Sequence, residues 1–262
     1  MKLQKYLSVF KINLLESLTY TTDMIFHALI SGIYVFIFIK LWTAIFNQNP
    51  NFLGFTLNEL LWYYGMVQII LLFGGSPVKE ISSSIQKGEV VNSLNKPYNF
   101  ILYNLCESLG KTVFLFLIGL FWVSLMLVFY VGLPPLDFKF YPLIFLVILL
   151  GVLINYLIGF SIATIAFWVE DATPYQWIYS KILFIFSGVF FPLELLPLFL
   201  KNIAQYLPTS FLLYYPAKLF VQFTWELFWK VFSFQIAFLI LFYGLSLLLF
   251  SRGVKKVSVN GG

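Results

Sequence analysis

The side chains in this sequence that could do chemistry are few. There is one histidine, His27, and one cysteine, Cys106. A lone cysteine excludes an internal disulfide and a Cys-rich metal site. A lone histidine excludes a cluster of imidazole ligands and paired-histidine proton transfer. Among the acids, Glu170 and Asp171 are adjacent and follow an apolar run. Two such carboxylates could act as acid and base on a lipid headgroup. The plainer reading is a solvated start for a helix that Thr173-Pro174 begins. Gly110-Lys111-Thr112 imitates the end of a phosphate-binding loop, yet Leu105 stands where that motif needs glycine and no strand precedes it. No HExxH, GxSxG or CxxC occurs. The chain is expected to hold no cofactor or metal of its own and not to be an enzyme.

Composition explains the scarcity. The chain has 262 residues, of which 61% are apolar, 21% aromatic and only 10% charged. Its mean hydropathy is +0.91. A soluble domain is about 45–50% apolar and about 25% charged. These values describe an integral membrane protein in contact with lipid. The net charge of +5 does not point to nucleic acid, because the cations follow membrane sidedness.

The elements expected to position these residues are helices, making an all-α membrane protein with six spans. The spans are 24–46, 57–75, 100–131, 141–167, 175–191 and 225–250. Residues 1–22 are expected to lie on the membrane surface, with Leu3, Leu7, Phe10, Leu14 and Leu18 on one stripe and Lys2, Lys5, Asn13 and Glu16 away from it. The fifth span is short, roughly 25 Å at 1.5 Å per residue against a hydrocarbon core of about 30 Å. The following 192–216 carries Pro192, Pro197, Pro208 and Pro216. Apolar chain broken by proline at this rate suggests a re-entrant or external hairpin, tolerated where it packs on protein. Within the fourth span Gly151, Asn155, Gly159 and Ala163 recur every fourth residue. That spacing lets another helix approach closely, inside the subunit or across a dimer, with Asn155 free to bond across the contact. Lysines and arginines are commoner in the amino-terminal segment, in 76–99 and in the tail than in the opposite loops, which carry Lys139, Lys201 and Lys218. Both termini and 76–99 are therefore expected on the cytoplasmic side.

The polar segment 76–99, SPVKEISSSIQKGEVVNSLNKPYN, stands out between two apolar spans. Ser76 can cap a short helix with Pro77 at its first position. Val78, Ile81 and Ile85 then form a small apolar face. Gly88 ends that helix, and Val90, Val91 and Leu94 make a second turn before Lys96-Pro97. The apolar face can pack on the chain's own helix ends or enter a partner; the alternative is a solvated loop. Gly88 is expected to set the angle of this peg, and Glu89 to make a polar contact with a partner or a nearby basic group. An ion-coupled carrier would place acids at mid-membrane, whereas the acids here fall in loops or near span ends. A membrane subunit driven by, or anchored to, something else fits better.

Three stretches resemble the ABC-2 type permeases, membrane subunits of ATP-driven exporters. They are LESLTYTTDMIF (15–26), IQKGEVVNSLNKPYNFILY (85–103) and the proline-marked 184–216, including GVFFPLELLPLFLKNIAQYLPTSFLLYYP. With the six-span layout the resemblance covers nearly the whole chain. It implies a second permease subunit, identical or related, and ABC ATPase subunits on separate chains that bind ATP-Mg. It implies that the peg is the coupling helix, with Val78, Ile81, Ile85, Gly88 and Glu89 at the ATPase contact, and that 1–22 is an elbow helix on the inner leaflet of the cell membrane. The competing readings are a lipid-modifying membrane enzyme using Glu170 and Asp171, and a passive anchoring or assembly protein.

Overall fold

The computed structural model describes residues 2–19, 21–48 and 54–260. Among the described residues there is no strand. The helices are α1 (Lys2–Thr19), α2 (Thr21–Gln48), α3 (Leu57–Phe73), α4 (Val78–Gln86), α5 (Val90–Leu94), α6 (Phe100–Val131), α7 (Tyr141–Thr164), α8 (Ala166–Val169), α9 (Thr173–Phe186), α10 (Leu198–Ala204), α11 (Pro208–Leu212), α12 (Tyr214–Val221) and α13 (Trp225–Asn260). Among the described residues five helical stretches are long and apolar enough to cross a membrane: Ile25–Gln48, Leu57–Gln86, Phe100–Val131, Phe138–Val169 and Trp225–Lys256. The second joins α3 to α4 across a break at Gly74 to Pro77.

The expected fifth span is not a helix of spanning length. α9 has 14 residues, or about 21 Å at 1.5 Å per residue. It stops at Phe186 because Gly188 turns the chain with φ +78, a conformation that a side chain would strain. α13 departs from expectation in the other direction and runs past residue 250 to Asn260. Arg252, Lys255 and Lys256 end the apolar run, but lysine and arginine are good helix formers and the backbone continues. α6 matches its expected bounds. The Asn99 side chain caps it by accepting from the Leu102 amide at 3.0 Å, and Gly132, at φ +87, ends it.

The helix directions follow from their contacts. Asn58 and Trp62, early in α3, donate to the carbonyls of Val131 and Gly132 at the end of α6, so these helices are antiparallel. α13 runs parallel to α7. Gln235 donates to Val147 O at 3.0 Å, the Ser161 and Ser246 hydroxyls meet at 3.0 Å, and Phe250 packs on Phe160 and Phe167. α7 reaches its end beside the peg, where α9 begins, while α13 begins beside Phe140 and Phe223 at the far end. The chain between Thr173 and Trp225 therefore passes from the peg end of the bundle to the opposite end.

α1 lies along α6. A Cβ at Gly110 would come within 2.6 Å of Phe10 O and 2.8 Å of Asn13 Cβ, so the two backbones touch there. The Lys5 ammonium donates to Pro97 O, and the Asn99 amide donates to the Tyr6 hydroxyl at 2.9 Å. Asn13 was expected on the polar side but is buried in this contact. Its Nδ2 donates to Val9 O of its own helix at 2.9 Å, so burial leaves that donor paired. Leu7, Ile12, Leu15 and Leu18 face outward. α1 thus has one apolar face for α6 and another for lipid.

After α9 the chain is irregular from 187 to 192 and then broken into short helices, and side chains of α2, α3, α13 and of the segment itself bond its carbonyls. Tyr34 of α2 donates to Val189 O at 2.7 Å. Tyr63 and Tyr64 of α3 donate to Gly188 O at 2.8 Å and Phe190 O at 3.1 Å. Ser210 donates to Phe186 O at 2.7 Å, Tyr215 to Gln205 O at 3.0 Å, and Gln235 to Phe211 O at 2.8 Å. Below the turn, the Glu194 carboxylate accepts from Lys218 and from the Tyr214 hydroxyl. Without water, each such carbonyl left unpaired would cost several kcal/mol.

Candidate functional site

The peg is α4 and α5 with the corner between them. α4 is short and strongly two-faced, and tertiary contact rather than length holds it. Pro77 stands at its N-cap position with no side-chain cap. The expected cap is weak, because the Val78 amide lies 3.5 Å from Ser76 Oγ, outside the usual range. What fixes α4 is burial. Val78 and Ile81 are 1% and 2% exposed. With Val90 they join a cluster formed by Phe100, Tyr156, Phe160, Ala163, Phe167 and Ala172. Ser82 adds a polar tie by accepting from the Ala172 amide at 3.1 Å. The peg is thereby fastened to the ends of α7, α8 and α9 of its own subunit.

The predicted peg residues separate into two groups. Val78 and Ile81 face inward and are covered; Ile85 is half-buried at the cluster's edge. Gly88 and Glu89 are exposed at the corner, with Gln86, Lys87, Val91 and Asn92 around them. Gly88 has φ +72, and a Cβ there would meet nothing within 4 Å. Its glycine is therefore required by backbone conformation and not by crowding. The Gly88 amide donates to Ile85 O at 3.0 Å and closes the helix. Behind the peg, Lys111 of α6 pairs with Glu107 at 2.8 Å and with Glu80 of α4 at 3.6 Å. These pairs are partly solvated and worth little individually, but they join α4 to α6 as well.

The four-residue stripe on α7 faces its own subunit. A Cβ at Gly151 would lie 3.3 Å from Leu212 O, and one at Gly159 would lie 3.1 Å from Ser76 Oγ. Ala163 is fully buried in the peg's cluster. Asn155 Oδ1 accepts from the Tyr179 hydroxyl of α9 at 2.7 Å. The stripe thus seats α11, α9 and the start of the peg against one helix.

Glu170 and Asp171 are exposed beside the peg and do not form an acid pair. Asp171 Oδ1 accepts from the Thr173 amide at 2.9 Å. The Thr173 hydroxyl and amide hold its carboxyl below the ordinary carboxylate range, which suits a helix-start ligand and not a general acid. Glu170 has φ +66, in the left-handed region. Among the described residues no group of three or more His, Cys, Asp and Glu could hold a metal ion.

Sequence reasoning missed the tyrosine hydroxyls that hold the 188–190 turn. The available signal was Gly188 inside a short expected span with Pro192 directly after it. A family model described as ABC-2 family transporter protein matches residues 11–261. No curated protein matches the chain.

Proposed function

This chain belongs to the ABC-2 transporter family, and from that premise we propose that it is the permease subunit of an ATP-driven exporter, moved by an ATPase on a separate chain. One observation carries the coupling role. The peg is locked to α7, α8 and α9 by Val78, Ile81 and the Ser82–Ala172 bond, while its corner at Gln86 to Glu89 projects free of the bundle. A part that is rigid at its base and polar at its tip can receive a push and pass it to three helices. ATP binding on the partner supplies the differential energy between inward-open and outward-open states. Lys87 and Glu89 are the contact residues in this reading. Val78, Ile81 and Ile85 transmit the thrust.

The sixth crossing is composite: α9 enters from the peg side, and the tyrosine-held 187–221 segment completes it as a re-entrant outer portion. In this reading the described ends of α1 and α13 lie with the peg on the cytoplasmic side. α1 is the elbow helix, its outward leucines in the inner leaflet. A second permease subunit completes the path.

Glu89→Lys tests the coupling. Insertion and thermal stability should stay near the parent, because a surface charge change costs within about 0.5 kcal/mol. Transport and ATPase co-purification should fall together. A Glu89→Lys subunit that binds the ATPase and transports like the parent would refute the peg as the coupling element.

A further inference from the structure

We propose that the cleft between α3, α7, α9 and α11 is a binding site for an uncharged amphiphile with a hydroxylated headgroup. The cleft has an empty volume of about 610 Å³, part of it an open mouth. It lies in the half of the bundle nearer the peg, reaching Gly74 and Ser76 where α3 gives way to α4. Among the described residues no acid or base lines it. Lys181, next to the lining Ser180, turns instead to the Trp177 ring, 5.1 Å from its centroid. A charged headgroup would therefore be desolvated without a countercharge, a large cost.

The polar groups present specify a neutral hydroxyl. Gln176 lines the cleft, and its Oε1 is shut from solvent with no hydrogen-bond partner among the described residues. A buried amide oxygen in that condition carries a desolvation penalty, which a donating ligand would remove. The Tyr179 hydroxyl spends its proton on Asn155, leaving its oxygen as a second acceptor. Both acceptors lie on one side of α9, and a glycerol-like group can donate to both. Ile70, Leu183 and Phe184 supply the apolar wall for a chain. The convergence of a few polar groups in a mostly apolar cleft is the usual form of a small-molecule site.

Naming this ligand as cargo rests on the permease reading; its binding does not. The test uses the full chain in phosphatidylcholine nanodiscs, without ATPase or nucleotide. Three photoreactive probes share one diazirine-bearing chain: a monoacylglycerol, a fatty acid and an acylcholine. The monoacylglycerol should give the most adduct, mapped by peptide mass spectrometry to α9 or α3. Gln176→Leu should cut that adduct about threefold to tenfold, the value of one hydrogen bond. Leu183→Trp, which fills the apolar wall, should also cut it. Equal adduct from all three probes, or adduct unchanged in both variants, overturns the site. Loss of the site with the Glu89 results intact would remove the ligand class and leave the permease reading standing.

Discussion

Replacing Gly188 with alanine should unseat the outer turn, and the structure sets the size of the effect. Gly188 has φ +78, and a Cβ on its backbone would lie 2.2 Å from the Tyr63 hydroxyl oxygen. The left-handed conformation alone costs an L-residue about 1–2 kcal/mol. The methyl also displaces the hydroxyl that donates to Gly188 O at 2.8 Å. Tyr63 is fully buried, so the broken bond leaves unpaired groups worth about 1–3 kcal/mol. The total is about 2–5 kcal/mol. Tyr63→Phe alone removes only the donor, for about 1–3 kcal/mol. In the double variant the lost bond counts once, and the next obstacle is Tyr214 at 3.1 Å, a crowded contact that Tyr214 must relieve by moving a few tenths of an ångström. The double variant should therefore be less destabilised than the sum of the singles by about 1–3 kcal/mol. Unfolding by SDS in mixed micelles, followed by tryptophan fluorescence, measures all four proteins. A Gly188→Ala protein within 0.5 kcal/mol of the parent, or strictly additive losses, would refute the reasoning.

Ile81→Asp should damage the subunit itself. Ile81 is covered by its own chain, and an unpaired charge there should cost about 3–5 kcal/mol; a folded, thermally normal Ile81→Asp protein that lacks only its partner would show the contact to be intermolecular. In a Cys106-free background, a cysteine at position 87 should resist an impermeant reagent in intact cells while one at position 201 reacts. The reverse pattern would invert the topology. Asn49, also expected outside, lies beyond the described residues.

How much of this was readable in the sequence varied with the physics involved. The bounds of α6 were legible because Asn99 and Gly132 are strong local signals on either side of an unbroken apolar run. The same holds for Gly88, whose role is conformational and needs no neighbour. The base of the peg was legible only as an apolar face, since the choice between own helix ends and a partner depends on contacts with Phe160 and Phe167, some eighty residues away in sequence. Asn13 misled for a related reason. Its polarity suggested water, but an asparagine bonded to its own helix can lie against a glycine. The role of the tyrosines on α2 and α3 was not legible because their acceptors, 125 to 155 positions downstream, are backbone carbonyls, which carry no sequence signature.

The separation between those donors and acceptors also orders biosynthesis. Tyr34, Tyr63 and Tyr64 leave the ribosome long before Gly188, Val189 and Phe190. When the broken stretch reaches the bilayer, the hydroxyls that replace its water are already in place, and the lone bent segment is never the first to meet lipid. A nascent chain carrying Tyr34→Phe, Tyr63→Phe and Tyr64→Phe should consequently stall at this step, with 187–221 open to protease at the membrane surface while α2, α3, α6 and α7 are already integrated. Protection equal to that of the parent nascent chain would show that insertion proceeds without them.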